Sequence, residues 1–224
     1  MKVNLNLCEI KWSYSGLKDY VNCPKQYQEV KVLKRFSKFP TQEMRYGTEV
    51  HSALEDYVKD DKPLAKNYER FKKQVDPLKE MEGIKFPEYR MAVTYKREPC
   101  TFGAKEYWAR GIADLLVVND EKAFIVHYKT GSSKYPDAKQ LQLMAMMAFA
   151  HFPHVTDINA GLLFVMDEKF ITAEYTRDDL DKYWDDFAGD LSRLQNSFVT
   201  DVWQTNPTPL CKWCPVRTCE YNRG

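Results

Sequence analysis

Apolar residues recur along this chain in two different periods. Over residues 44 to 59 they fall at Val50, Leu54, Tyr57 and Val58, one side of a helix. A second helix is expected over 64 to 80, where charges dominate and Phe71, Val75 and Leu78 mark the inner stripe. Ahead of these, Ser13 or Ser15 suits the N-cap of a short helix, and Pro24 suits the first turn of another reaching Leu33 or beyond. The pattern then changes to strands at Glu88–Tyr95, Tyr107–Val118 and Lys122–Lys129, the last two joined by Asn119-Asp120-Glu121 as a hairpin. Pro136 opens a long apolar helix to about Phe152, with His151 and His154 capping its end and contacting solvent. Strands at Asn159–Val165 and Phe170–Tyr175 follow, with a turn at Asp167-Glu168-Lys169, and then a helix from Asp178 to Phe198. Helices followed by a mixed sheet broken by helices read as α/β.

Composition narrows the class. Of 224 residues, 44% are hydrophobic and 14% aromatic, enough for a packed core. The net charge of +1 offers no global basic field, so nucleic acid would have to be met by a local groove. No signal-peptide pattern and no 18-residue apolar run is visible, so a cytoplasmic protein without a membrane span is expected. One domain is expected over 1–224: a helical part at 13–80, a sheet core at 88–175, and a helix with a cysteine tail at 176–224.

The cysteines are unevenly placed. Cys23 stands near the start, while Cys211, Cys214 and Cys219 stand near the end with gaps of two and four residues. Two thiolates on a tight C-x2-C turn can reach one centre, and a structural zinc site is one reading. Cys8 and Cys100 stand alone and read as buried or free thiols.

Three segments carry candidate chemistry. In Gly47-Thr-Glu-Val-His51-Ser-Ala-Leu-Glu55, the histidine and the last glutamate are four apart and share a helix face. In Arg110-Gly-Ile-Ala-Asp114 the carboxylate interrupts an apolar strand, where its alternative is an ion pair with Arg110 or Arg45. In His127-Tyr128-Lys129-Thr130-Gly131 the two polar residues alternate toward one face at a strand's end. An acid on one strand, with a ligand and a lysine on its hairpin partner, can hold a divalent cation and activate water.

These segments, in this order, resemble the PD-(D/E)XK nuclease superfamily, and Gly47-x-x-x-His51, Gly-Ile-Ala-Asp114 and His127-Tyr-Lys129-Thr-Gly look like its RecB-type branch. Ser13-Tyr-Ser-Gly-Leu and Cys23-Pro-Lys-Gln-Tyr27 match the opening of that branch, whose single early cysteine joins a late cluster around a 4Fe–4S centre. The resemblance implies a restriction-endonuclease-like core, a central mixed sheet flanked by helices, with the chain's ends joined by the cluster through Cys23, Cys211, Cys214 and Cys219. It implies His51 and Asp114 as ligands of Mg2+ or Mn2+, Lys129 as the catalytic lysine, and Gln140 as a residue that positions substrate. It also implies a DNA exonuclease acting on single strands or ends in recombination, repair or phage DNA metabolism, with a helicase or another recombination protein as partner. Glu55 is a candidate support for the ligands. Lys25, Tyr27, Arg35 and Arg45 are candidate DNA contacts, the aromatic ring by stacking on bases.

One departure stands out. The family carries Asp or Glu where this chain has His127, so a hard-metal site loses an oxygen ligand and a negative charge. Three readings stay open: an inactivated enzyme, an enzyme that binds its metal through the imidazole, and a catalytically inactive DNA-binding or scaffold protein.

Overall fold

The computed structural model describes residues 9–223, so Cys8 lies outside the described residues. The described chain divides into two compact units, one formed by residues up to Pro40 together with Asp185 onward, the other by Thr41–Trp184.

The second unit is built on a six-stranded sheet with strand order β2-β1-β3-β4-β5-β6. The strands are β1 (Ile84–Val93), β2 (Pro99–Cys100), β3 (Ala109–Asn119), β4 (Lys122–Lys129), β5 (Asp157–Phe164) and β6 (Lys169–Thr176). All neighbours are antiparallel except β4 and β5, which run parallel and make the sheet mixed. A parallel pair needs a long crossover, and the helix Lys139–His151 supplies it. This helix is buried on nearly every side, from Leu143 through Phe149, as its continuous apolar run requires.

In order along the chain, the α-helices are α1 (Tyr14–Asn22), α2 (Pro24–Tyr27), α3 (Gln42–Asp60), α4 (Lys72–Glu80), α5 (Lys139–His151) and α6 (Leu180–Thr200). α3 starts where the Thr41 hydroxyl accepts the Met44 N–H, 3.3 Å away, and stops at Asp61 in the left-handed region. One sheet face packs Leu115, Val117, Val126, Tyr128 and Leu163 against Val50, Leu54 and Tyr57 of α3 and Val75 and Leu78 of α4.

Several boundaries differ from the sequence reading. The helix expected over 64–80 is shorter, because Ala65 accepts the N–H groups of both Tyr68 and Glu69 in a turn, and α4 begins only at Lys72. β1 begins at Ile84 rather than Glu88, its pattern obscured by Pro87, which has no N–H to give a ladder. Gly83 before it sits at φ +121, where a Cβ would lie 2.6 Å from the Val118 carbonyl oxygen, so only glycine fits. α5 starts three residues after Pro136, at Lys139, its first turn closed on the Ala138 carbonyl. His151 is not a solvent cap: its Nε2 lies 2.9 Å from the Ala92 carbonyl oxygen and ties α5 to β1.

In the other unit, α1 is capped by Ser13, whose hydroxyl accepts the Gly16 N–H at 3.3 Å. Pro24 opens α2, which continues as a π-helical turn over Gln28–Val32. Tyr20 bonds Ser197 of α6 at 2.8 Å through their hydroxyls.

Candidate nuclease centre

The site begins with an interruption of the sheet. The β3–β4 ladder ends at the pair Leu115↔Val126, so the two strands part at Asp114. There the Tyr128 N–H donates to Asp114 Oδ2 at 2.7 Å, a carboxylate taking over from a ladder carbonyl. On the other side, the pairs Pro87↔Leu115 and Tyr89↔Ala113 bracket Glu88 and Asp114, which occupy one row without pairing. Side-chain alternation also breaks here. A Cβ on Gly111 would run into Met144 and Met147 of α5, whereas Leu115, four residues on, belongs to the core under α3. This break lets a residue of an otherwise apolar strand meet the polar face of α3.

Asp114 is 8% exposed and lies between two imidazoles. His51 Nδ1 is 3.3 Å from Oδ2, and His127 Nδ1 is 3.4 Å from Oδ1. Burial pushes the Asp114 carboxyl up, but the His127 hydrogen bond and charge, with the His51 charge and the Tyr128 amide, outweigh it and hold the group below the ordinary carboxylate range. The ion pair with Arg110 or Arg45 is therefore not made; the Arg110 guanidinium lies over the rings of Phe102 and Tyr107. Gly47, one turn before His51 on α3, faces Thr130: a Cβ there would be 3.1 Å from Thr130 Oγ1, so the glycine lets α3 approach the end of β4.

Lys129 and Gln140 meet, the ammonium donating to Gln140 Oε1 at 2.7 Å, which joins the end of β4 to the first turn of α5. Met144, one turn after Gln140 on α5, is buried against Gly111. Glu55, one turn past His51, lies 3.8 Å from Lys59 Nζ. Tyr128 packs edge-on to His51 with its hydroxyl unpartnered, and burial, followed by Asp114 and Glu88, pushes its phenol well up.

Sequence reasoning missed Glu88. It has φ +48, and its carboxyl is raised to about 7, by burial first and then by the charges of Asp114 and Glu55, with Arg90 opposing. The one signal in the sequence was a Pro-Glu pair inside an apolar run.

In the other unit, Cys23, Cys211, Cys214 and Cys219 line one cavity with Gln26, Pro207 and Val216. Its thiols are half-buried, unbridged, and already accept hydrogen bonds: Gln26 Nε2 donates to Cys214 at 3.2 Å and the Thr208 N–H to Cys211 at 3.3 Å. Such N–H···S contacts suit thiolates that hold a metal or cluster. Among the described residues, however, no three His, Cys, Asp or Glu side chains are gathered closely enough to hold a metal ion as they stand.

The candidate DNA contacts separate. Lys25 lies 2.8 Å from the buried Glu29, and Arg35 lies 3.5 Å from the same carboxylate with most of its own side chain exposed. Tyr27 is buried between Tyr20 and Trp203, so its ring packs the unit rather than stacking on bases. Arg45 is exposed on α3.

A mixed sheet whose central hairpin brings a carboxylate and a lysine to the end where its strands part is the frame of a nuclease core. The chain belongs to the PD-(D/E)XK nuclease superfamily, whose family model matches residues 11–219. Among solved structures, the crystal structure of SSO0001 aligns at 14% identity and a TM-score of 0.49, covering 99% of this chain and 90% of that one. A protein from Eubacterium rectale described as a putative exonuclease aligns at 14% identity and a TM-score of 0.49, covering 96% of this chain and 88% of that one. No curated protein matches the chain. No helix among the described residues is long and apolar enough to cross a membrane.

Proposed function

We propose that this chain is a metal-dependent DNA exonuclease of the RecB-type branch, acting on single strands or DNA ends in recombination, repair or phage DNA metabolism, with Mg2+ or Mn2+ at its centre. The observation that carries the reading is Asp114 at the parting of β3 and β4, with His51 beside it. The donor types, a buried carboxylate and an imidazole from α3, suit a divalent cation, but as they stand no three His, Cys, Asp or Glu side chains among the described residues are gathered closely enough to hold one. Nitrogen donors favour Mn2+ over Mg2+. His51 and Asp114 would hold the cation, which when bound supplies an acidified water and neutralises charge on the phosphate.

The protein's own residues do the rest. Gln140 holds the Lys129 ammonium by its Oε1, which fixes a cation at the end of β4 where it can orient water or balance charge on the phosphate. Tyr128 gives its N–H to Asp114 and so fixes the carboxylate's orientation. Arg45 and Arg35 are the candidate phosphate contacts left exposed. Any unwinding of duplex would come from a separate helicase. In the other unit the four thiols would hold a 4Fe–4S cluster in a structural role, supported by their shared cavity and the N–H groups aimed at sulfur.

A second reading rests on His127. Both oxygens of Asp114 are already satisfied by two imidazoles and an amide, a state that needs no cation and suits an inactive DNA-binding protein. Digestion of end-labelled single-stranded DNA with Mn2+, using the chain and its Lys129→Ala variant, separates the two. Trimming from an end that is lost in the variant supports the enzyme; binding without trimming in both supports the inactive protein.

A further inference from the structure

The loop that follows Lys129 carries a group the centre does not use. Residues 130–138 join the end of β4 to the start of α5, all within the unit that holds Asp114. The loop is tied down at three points. Gly47 of α3 leaves room for Thr130 at its start, the Ser133 N–H donates to Asp167 Oδ2 at 2.7 Å in its middle, and the Ala138 carbonyl closes the first turn of α5 at its end. Ser133 is buried, yet Tyr135, two residues on, is 81% exposed. A held loop thus presents a whole phenol ring to water, against the preference of an aromatic body for burial. The Lys134 ammonium lies 5.3 Å from the ring centroid and sets a cation beside it.

A lone exposed tyrosine would mean little. Here the turn that holds Ser133 gathers a second pair of the same kind. Met166, next to Asp167, is exposed, and Arg70 Nη2 donates to its sulfur at 3.3 Å and to the Tyr46 hydroxyl at 3.0 Å. Both acceptors are neutral, so the exposed guanidinium is held in place without its charge being offset by them. The turn itself is fixed to the centre, because the Val165 N–H donates to the Lys129 carbonyl at 3.0 Å. Two cations and two aromatic rings are therefore tied to one turn beside Lys129. Cations that meet phosphates next to rings that accept a base are the two components of a single-strand platform. Paired bases in a duplex stack on one another, whereas an unpaired end has its π-faces free.

We propose that Tyr135 is a substrate-positioning residue: its ring stacks on one base of a single-stranded DNA end, Arg70 meets a backbone phosphate, and the loop 130–138 fixes the register in which that strand reaches Lys129. The proposal rests on the nuclease reading above and deepens it by naming what selects an unpaired strand.

The test is binding of a fluorescein-labelled oligothymidylate to the full chain by anisotropy, in EDTA so that nothing is cut. Tyr135→Ala should bind at least about fivefold more weakly, the low end for losing one stacked base, and Tyr135→Phe, which keeps the π-face, should bind within about twofold of the parent. On an abasic strand of the same length the parent and Tyr135→Ala should bind alike, an equality that a loss of fold would not produce. Arg70→Ala should make the slope of log K against log salt shallower by about 0.7, one phosphate contact on a single strand. Because the Tyr135 ring is exposed, Tyr135→Ala should keep the parent's Tm. If Tyr135→Ala binds the oligothymidylate like the parent, or loses as much on the abasic strand, the stacking role is wrong while the nuclease centre stands. If the parent binds neither strand, the proposal falls together with the DNA reading it rests on. A parent dimer that Tyr135→Ala turns into a monomer in sedimentation would assign the ring to a second copy of the chain and overturn the proposal.

Discussion

His127→Asp is the sharpest perturbation of this centre. The imidazole it removes is 3% exposed and 3.4 Å from Asp114 Oδ1, so the new carboxylate would face a buried carboxylate at about 4 Å. Two like charges at that distance repel by about 4 kcal/mol at the dielectric typical of such pairs. The pair escapes part of this by sharing a proton, which raises one carboxyl and leaves a cost of about 3 kcal/mol at pH 8. For a chain of this size that corresponds to a fall in Tm of about 6–12 °C. The sign with pH is fixed: a carboxyl whose folded pKa is raised stabilises the fold below its unfolded pKa, and that stability is lost as pH rises through the folded pKa. The deficit against the parent should thus be small at pH 4.5 and grow toward pH 8. Mn2+ at about a hundred times its Kd should return about 2.7 kcal/mol. Differential scanning fluorimetry of both proteins in EDTA and in Mn2+ reads all of this. A His127→Asp chain as stable as the parent in EDTA at pH 8, and indifferent to Mn2+, would refute the placement of positions 114 and 127 around one cation.

Other outcomes follow from the same contacts. Lys129→Ala should lower DNA cleavage at least about a hundredfold in a fixed-time assay while leaving the circular dichroism spectrum unchanged, since its role is to stabilise charge at the phosphate. Gly83→Ala should destabilise the chain by about 2 kcal/mol or more in urea titrations, because φ +121 and a Cβ 2.6 Å from the Val118 oxygen leave backbone as the part that must move. Glu88, raised from 4.5 to about 7 chiefly by burial, should make the metal-free chain lose stability as pH rises between those values. After discounting for solvent screening of a half-buried group, the loss is about 1 kcal/mol, and the slope should vanish in Glu88→Gln.

Much of the architecture was legible because period and punctuation agreed. Lys122–Lys129 is a strand with the expected bounds, and its hairpin with β3 closes through Asp120, which takes φ +49. The Gly47 and His51 frame was legible as spacing on one helix; the structure adds that the glycine makes room for Thr130. What escaped the sequence was long-range. Nothing local says that the β3–β4 ladder stops at Leu115↔Val126, that a Tyr128 amide replaces the lost acceptor, or that Glu88 stands in the Asp114 row. The ion pairs of Lys25 and Arg35 were hidden for a related reason. Lys25 and Arg35 converge on Glu29, a residue whose 4% exposure no sequence pattern announced.

The most direct measurement is the trimming of end-labelled single-stranded DNA in Mn2+ by the chain as it stands, by His127→Asp and by Asp114→Asn, side by side. A Mn2+-supported centre at Asp114 gives shortened products from His127→Asp, slower or equal trimming by the parent, and none from Asp114→Asn. Intact DNA in all three lanes, from folded protein with Mn2+ bound, would contradict the assignment of this hairpin as a nuclease centre.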